Sequence, residues 1–320
     1  MPLDAVTPAG TVVQTPPSFD LDLTVRSHGF YDLSPWQYDP ERRVLSRPLL
    51  LSSGRAVTVS VAPGADGRGV ALRVVSEGRL GAGDAAEARA ALRTCLSLDE
   101  DLSPFHELVR ELEAAPPARR PLPALAWAVE RAAGRLLRSP TVFEDAVKTL
   151  CTTNCAWAQT RLMVKNLVEH LGAPAPGGSR CFPTPSAMAE RDERFYRDVV
   201  RAGYRAPWLA RLARDVASGA LALESWRDPS IAADALVLRI RELDGFGPYA
   251  SEHLLRLLGR YDHLALDSWT RAKLARLRGK RRIPSDAAIR RWFAPYGRFA
   301  GLALWLELTA DWHSERPTWP

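Results

Sequence analysis

Past Asp84 the spacing of apolar residues changes, and that change limits the fold more than any other feature of the chain. Before it the period is two. FDLDLTV from Phe19, RAVTVSV from Arg55 and GVALRVV from Gly69 alternate apolar and polar side chains, as strands with one covered face do. LSSGR at Leu51 and APGADGRG at Ala62 carry the glycine and aspartate of turns. After it the period is helical: AEARAALRTCL, PFHELVREL, LPALAWAVERAAGRLL and VFEDAVKTLC place apolar residues three and four apart, with EAAPPARRPLP around Pro116 as a loop. Helices continue to the C-terminus, with breaks at APAPGGSR (Ala173), FPTPS (Phe182) and RGKRRIPSD (Arg278). Strands followed by helices predict an α+β fold: a flexible tail over 1–17, an antiparallel sheet domain over 18–100 and a mostly helical region over 101–320.

Composition narrows the function classes. With 320 residues, 46% of them hydrophobic, the chain can bury the cores of two or three domains. Runs such as PALAWAV and GLALWLEL are too short to span a membrane, and MPLDAVTPAG lacks the order of a signal peptide, so a cytoplasmic protein without a membrane partner is expected. Cys95, Cys151, Cys155 and Cys181 are scattered without close-set ligand pairs, which points to burial and to no metal site or disulfide framework. A formal charge of +6 suits a polyanion without requiring one. Nearly all the basic residues are arginine; the lysines are Lys148, Lys165, Lys273 and Lys280.

The segment LDGFGPYASEHLLRLLGRYDHLALDSWTR, residues 243–271, carries the chemistry. IAADALVLRIREL is an amphipathic helix that stops at Asp244 and Gly245; a second begins at Pro248, a residue type suited to a first helical turn. The connection DGFGP is a tight hairpin over about 231–259, in which Gly245 and Gly247 let another backbone approach and the second helix start can meet a phosphate. An ordinary αα-turn needs glycine too. Asp267 follows LAL and precedes the helical SWTRAKLARL, a place where aspartate is well suited to be an N-cap and where spacing alone favours that role.

LDGFGPYAS followed about twenty residues later by LALDSWTRAKLARL resembles the helix-hairpin-helix, Gly/Pro-rich loop and aspartate signature (HhH-GPD) of the DNA glycosylases of base excision repair. The resemblance extends to FDLDLTVRSHGFYDL, to PTVFEDAVKTLCTTNCAWAQTRLMVKNLVEHLG and to FPTPSAMA with AGYRAPWLARLA, which are similar to blocks of the 3-methyladenine and 8-oxoguanine branches. It implies that Asp267 is the catalytic carboxylate, stabilising an oxocarbenium-like transition state on the sugar of an extruded nucleotide. Bifunctional members carry a Schiff-base lysine where this chain has Tyr249, so the resemblance implies a monofunctional enzyme that leaves an abasic site. It places Lys273 at phosphate or solvent. No cofactor is expected: the iron-sulfur members' cysteines have no counterpart after Cys181.

Asn154 matches the residue that fills against the orphaned partner base, and Tyr204 and Arg205 match a wedge tyrosine and its arginine; Gln159 replaces an arginine that helps select the opposite base. Tyr204 also reads as a helix-packing aromatic. For the base pocket, Tyr249 and His253 lie one turn apart on one helix, with Trp269 and Trp157 as further aromatics and Phe30, Tyr31 and Trp36 from the N-terminal region. RGKRR at 278–282 reads as a backbone contact or as a solvated loop.

The implied partner is double-stranded DNA containing a damaged base, met by a monomer that is bacterial and nucleoid-associated through DNA. The missing lysine and aromatic Tyr249 favour an alkylated purine such as 3-methyladenine; Asn154, Tyr204 and Arg205 favour an 8-oxoguanine-type enzyme. A non-catalytic duplex-binding protein is the remaining alternative.

Overall fold

Val57, Val59 and Val61 are buried and their strand neighbours are not, so the alternation in RAVTVSV is that of a strand with one covered face. A computed structural model describes residues 11–16, 19–64, 69–115 and 125–313. Five strands, β1 (Thr11–Val13), β2 (Gln37–Asp39), β3 (Val44–Leu50), β4 (Ala56–Pro63) and β5 (Val70–Ser76), form one antiparallel sheet in the order β1-β5-β4-β3-β2. The early helices are α1 (Leu21–Val25), α2 (Ala82–Cys95), α3 (Ser103–Ala114), α4 (Ala126–Glu130), α5 (Val142–Thr152), α6 (Trp157–Leu171) and α7 (Pro185–Ala189). They are followed by α8 (Glu193–Asp198), α9 (Ala206–Ala217), α10 (Ala233–Arg241), α11 (Pro248–Leu257), α12 (Ser268–Leu277), α13 (Asp286–Phe293) and α14 (Ala300–Thr309). An antiparallel sheet followed by helices is the α+β order read from the sequence.

Three local readings are corrected and one unread strand, VLSRPLL, is added. FDLDLTV is not a strand: Asp20 caps α1 by accepting from the Leu23 N–H at 3.0 Å, and so short a run lets cap chemistry outweigh alternation. Thr11–Val13, within the expected tail, pairs with Val70–Leu72 and buries Val13. VLSRPLL is a strand that Arg47 and Pro48 disguise, since one is a charge on the core face and the other cannot donate to a ladder. The long helix expected over LPALAWAVERAAGRLL is only α4 among the described residues, because Ala132 and Gly134 take φ of 50° and 126°. Part of the expected tail, of the APGADGRG turn and of the Pro116 loop lies outside the described residues.

The chain divides into two units, each assembled from two stretches. One joins 1–99 to 137–225, and the other joins 100–136 to 226–320. In the first, β3, β4 and β5 cover Ala88, Leu92 and Cys95 of α2 together with Leu137. Arg47 on the same face is buried, and Glu144 of α5 receives it at 3.1 and 2.8 Å while Lys148 Nζ lies 2.7 Å from the same carboxylate. The second unit is built on α14, which buries residues all round, as a central helix must. Gly301 on α14 donates its N–H to the Tyr261 carbonyl at 2.7 Å, an approach that its missing side chain permits. Among the described residues no helix is long and apolar enough to cross a membrane.

Candidate active site

In the second unit, α10 ends and the chain reverses through Leu243 to Gly247. Gly245 takes φ +82°, a conformation that costs other residues strain, and Phe246 anchors the turn by burial. Ser251 locks the far side by donating its hydroxyl to the Phe246 and Gly247 carbonyls at 3.0 and 2.9 Å. Arg241 spans the hairpin to Glu252 at 3.2 Å, a buried carboxyl whose pKa burial raises against the pull of Arg241. No side chain caps the start of α11, and a Cβ added at Gly247 would meet nothing within 4 Å. The turn is therefore open to an approaching backbone.

Asp267 caps α12. Its Oδ1 accepts the Thr270 N–H at 2.7 Å, so the plain structural role read from the sequence is real. That bond uses one oxygen. Among the described residues the other accepts no hydrogen bond and no cation forms an ion pair with the group, which leaves a half-buried carboxylate oriented by the helix start.

Tyr249, His253 and Arg256 follow at i, i+4 and i+7 along one face of α11. Tyr249 is half-buried and stacks on His253 at 6.0 Å with 19° between the rings; His253 meets Trp305 edge-on at 6.3 Å. The Arg256 guanidinium lies 4.2 Å over Trp305 and donates toward His253 Nδ1 at 3.4 Å. Arginine has only donors to offer, so at this contact the guanidinium donates and the imidazole nitrogen accepts. Trp305 continues through Trp312 to Trp269, at 5.8 and 6.4 Å. Trp269 thus joins this aromatic chain through Trp312.

Two basic residues are corrected. Lys273 does not stand in solvent: it is buried against both Asp311 oxygens at 2.9 and 3.1 Å, with Trp269 and Trp312 on its flanks. Arg278 leaves the RGKRR run to pair with Glu307 at 2.9 and 2.8 Å.

The first unit assembles a separate set. Asn154 stands exposed at the turn between α5 and α6 with φ +45°, a conformation asparagine tolerates better than most residues. Arg205, expected to meet DNA, is only 4% exposed: its Nε donates to Thr153 Oγ1 at 3.1 Å, its Nη2 to the Thr153 carbonyl, and its guanidinium sits 4.4 Å over the Tyr204 ring. It is a strut under the residue preceding Asn154. Tyr204 is 51% exposed and packs edge-on against Trp208 at 5.2 Å, so it combines helix packing with a free edge. Gln159 donates to the Arg201 carbonyl at 3.0 Å. Trp157 donates to Asp32 at 2.9 Å and packs over Gly29, while Phe30 and Trp36 are buried beside Lys148 and Arg47. Tyr31 stands edge-on to Tyr38. These four aromatics pack the first unit. Cys95, Cys151 and Cys181 are buried and Cys155 half-buried. Among the described residues no cluster of histidine, cysteine or acidic residues is placed to hold a metal ion.

No protein-family model and no curated protein matches the sequence. Solved structures do. The 3-methyladenine DNA-glycosylase from Archaeoglobus fulgidus superposes with a TM-score of 0.71 at 18% identity, over 96% of this chain and 100% of that one. The 8-oxoguanine glycosylase/lyase of Clostridium acetobutylicum gives 0.67 at 16% identity, over 95% and 97% of the two chains. Its complex with double-stranded DNA containing cytosine opposite 8-oxoguanine gives 0.64 at 15%, over 96% and 97%. The chain has the helix-hairpin-helix DNA glycosylase fold. Within that fold, the sequence reading missed Arg256, Trp305 and Trp312. Arg256 had a signal, an arginine set among leucines at the spacing of Tyr249 and His253; Trp305 and Trp312 come from a distant helix and turn that no local pattern connects to Asp267.

Proposed function

We propose that the protein is a monofunctional DNA N-glycosylase that hydrolyses the bond between deoxyribose and a damaged purine, leaving an abasic site. The observation that carries this is Asp267: a carboxylate held through one oxygen by the Thr270 N–H, with the other unclaimed among the described residues. Such a group can stabilise the positive charge that develops on the sugar and orient water toward C1′. The open hairpin at Gly245 and Gly247 supports a duplex partner. The lysines support water as nucleophile, because Lys148 and Lys273 are buried in ion pairs with Glu144 and Asp311, and neither Lys165 nor Lys280 lies on the hairpin.

An alkylated purine is one candidate base, for which the Tyr249–His253 stack speaks. A neutral oxidised purine is the other, for which Asn154 and Tyr204 speak. The deciding experiment incubates the protein with duplexes carrying single lesions, with and without alkali. Strand breaks that need alkali are expected, no protein–DNA adduct should be trapped by borohydride, and Asp267→Asn should slow release by at least about 100-fold. Breaks without alkali would assign lyase activity and sink the monofunctional reading. An Asp267→Asn variant as fast as wild type would remove Asp267 from the chemistry, and no release from any alkylated or oxidised purine would leave only a duplex-binding protein.

A further inference from the structure

Among the described residues, the buried arginines and lysines have anionic or carbonyl partners, with one exception. Arg47 and Lys148 share Glu144, Lys273 has Asp311, Arg278 has Glu307, and Arg205 has the Thr153 carbonyl. Arg256 is 4% exposed, yet among the described residues no carboxylate lies within ion-pair distance of it. It has an imidazole nitrogen at 3.4 Å and the Trp305 ring at 4.2 Å. Burying a guanidinium on such terms is costly, and stability alone would favour leucine on this face. Burial brings its pKa down to about 10, which leaves it charged at neutral pH, and Asp267 lies within its electrostatic reach.

Position gives the charge a use. Tyr249, His253 and Arg256 line one face of α11 from the hairpin inward, the first half-buried and the others buried, and Trp305 meets both His253 and Arg256. A base stacked on the outer aromatic would have the His253 ring and then the Arg256 guanidinium behind it. We propose, resting on the glycosylase reading, that Arg256 sets the charge of the base this site removes: a neutral purine lesion that departs as an anion, in preference to a cationic N3- or N7-methylpurine. In the hydrolysis the C1′–N9 electron pair leaves with the purine, water adds its oxygen to C1′, and the proton released from water ends on the departed base. Asp267 stabilises the sugar's developing positive charge and Arg256 the purine's developing negative charge. A purine that is already cationic gains nothing from Arg256 as it leaves and is repelled on entry.

The test measures single-turnover release by the full chain from duplexes carrying one 8-oxoguanine or hypoxanthine, both neutral, or one 7-methylguanine, which is cationic. Wild type is expected to release at least one neutral base faster than 7-methylguanine. Arg256→Met should lower neutral release tenfold or more and speed the cationic base, and Arg256→Lys should restore the wild-type order. Equal slowing of all lesions by Arg256→Met would make the residue structural and overturn the proposal while leaving the glycosylase reading intact. So would a wild type that releases 7-methylguanine fastest, whether or not the variants fold. A wild type that releases no base would remove both readings together.

Discussion

Asn154 shows how one residue can satisfy two demands that only separate substitutions distinguish. Its φ of +45° is reason enough for asparagine at that turn, and its exposure at the tip is what a residue probing DNA requires. Glycine meets the backbone demand without the side chain. Asn154→Gly should therefore keep the unfolding midpoint of wild type and weaken binding to a lesion-containing duplex about tenfold, a loss of roughly 1.4 kcal/mol; equal affinity in a titration would reduce Asn154 to a turn residue. Asp267 is the same kind of case, an N-cap whose second oxygen is left over. The residue types at both positions were legible in the sequence. That Arg205 holds Thr153 from below, instead of reaching outward, was not, because burial is a property of neighbours 52 residues apart.

At the scale of elements, the hairpin was the most legible part, since DGFGP between two amphipathic runs leaves few ways to fold. Its boundaries follow from local chemistry: Gly245 at positive φ, Pro248 in the first turn of α11, Asp267 at the start of α12. FDLDLTV failed as a strand for the same local reason, the Asp20 cap. The contact of α14 with the stretch leading to Asp267 has no such local signal. A Cβ at Gly301 would lie 2.2 Å from the His263 carbonyl and 2.9 Å from that of Tyr261, so Gly301→Ala must push apart α14 and the backbone that delivers Asp267. Urea unfolding of Gly301→Ala should show a loss of about 1–3 kcal/mol, the usual cost of overpacking, accompanied by slower base release; a variant as stable as wild type would mean that the two segments can separate freely.

Across the whole molecule, each unit takes one early and one later stretch, so contacts far apart in sequence carry much of the stability. In the first unit Arg47 of β3, Glu144 and Lys148 of α5 form a buried set. Burial alone would raise the Glu144 pKa, but the two cations outweigh it and hold it at about 2 against an ordinary 4.5. A folded value below the unfolded one means that the stabilisation is complete above the unfolded pKa and is lost as pH falls from about 4.5 through about 2. Glu144→Gln would strand two buried cations and should cost about 3–5 kcal/mol at neutral pH, with the acid sensitivity over that range diminished; a pH series of denaturant midpoints reads both effects. Periodicity, turn residues and capping side chains act within a few positions, and they were sufficient to establish the α+β order, the hairpin and the candidate aspartate. Packing alone settled which helices join the sheet, which cations are buried, and that Arg256 lies behind Tyr249 and His253 with no carboxylate in ion-pair range among the described residues. Those outcomes depend on side chains brought together from remote parts of the chain, where Coulomb interactions and desolvation act through space and leave no periodic trace in the order of residues.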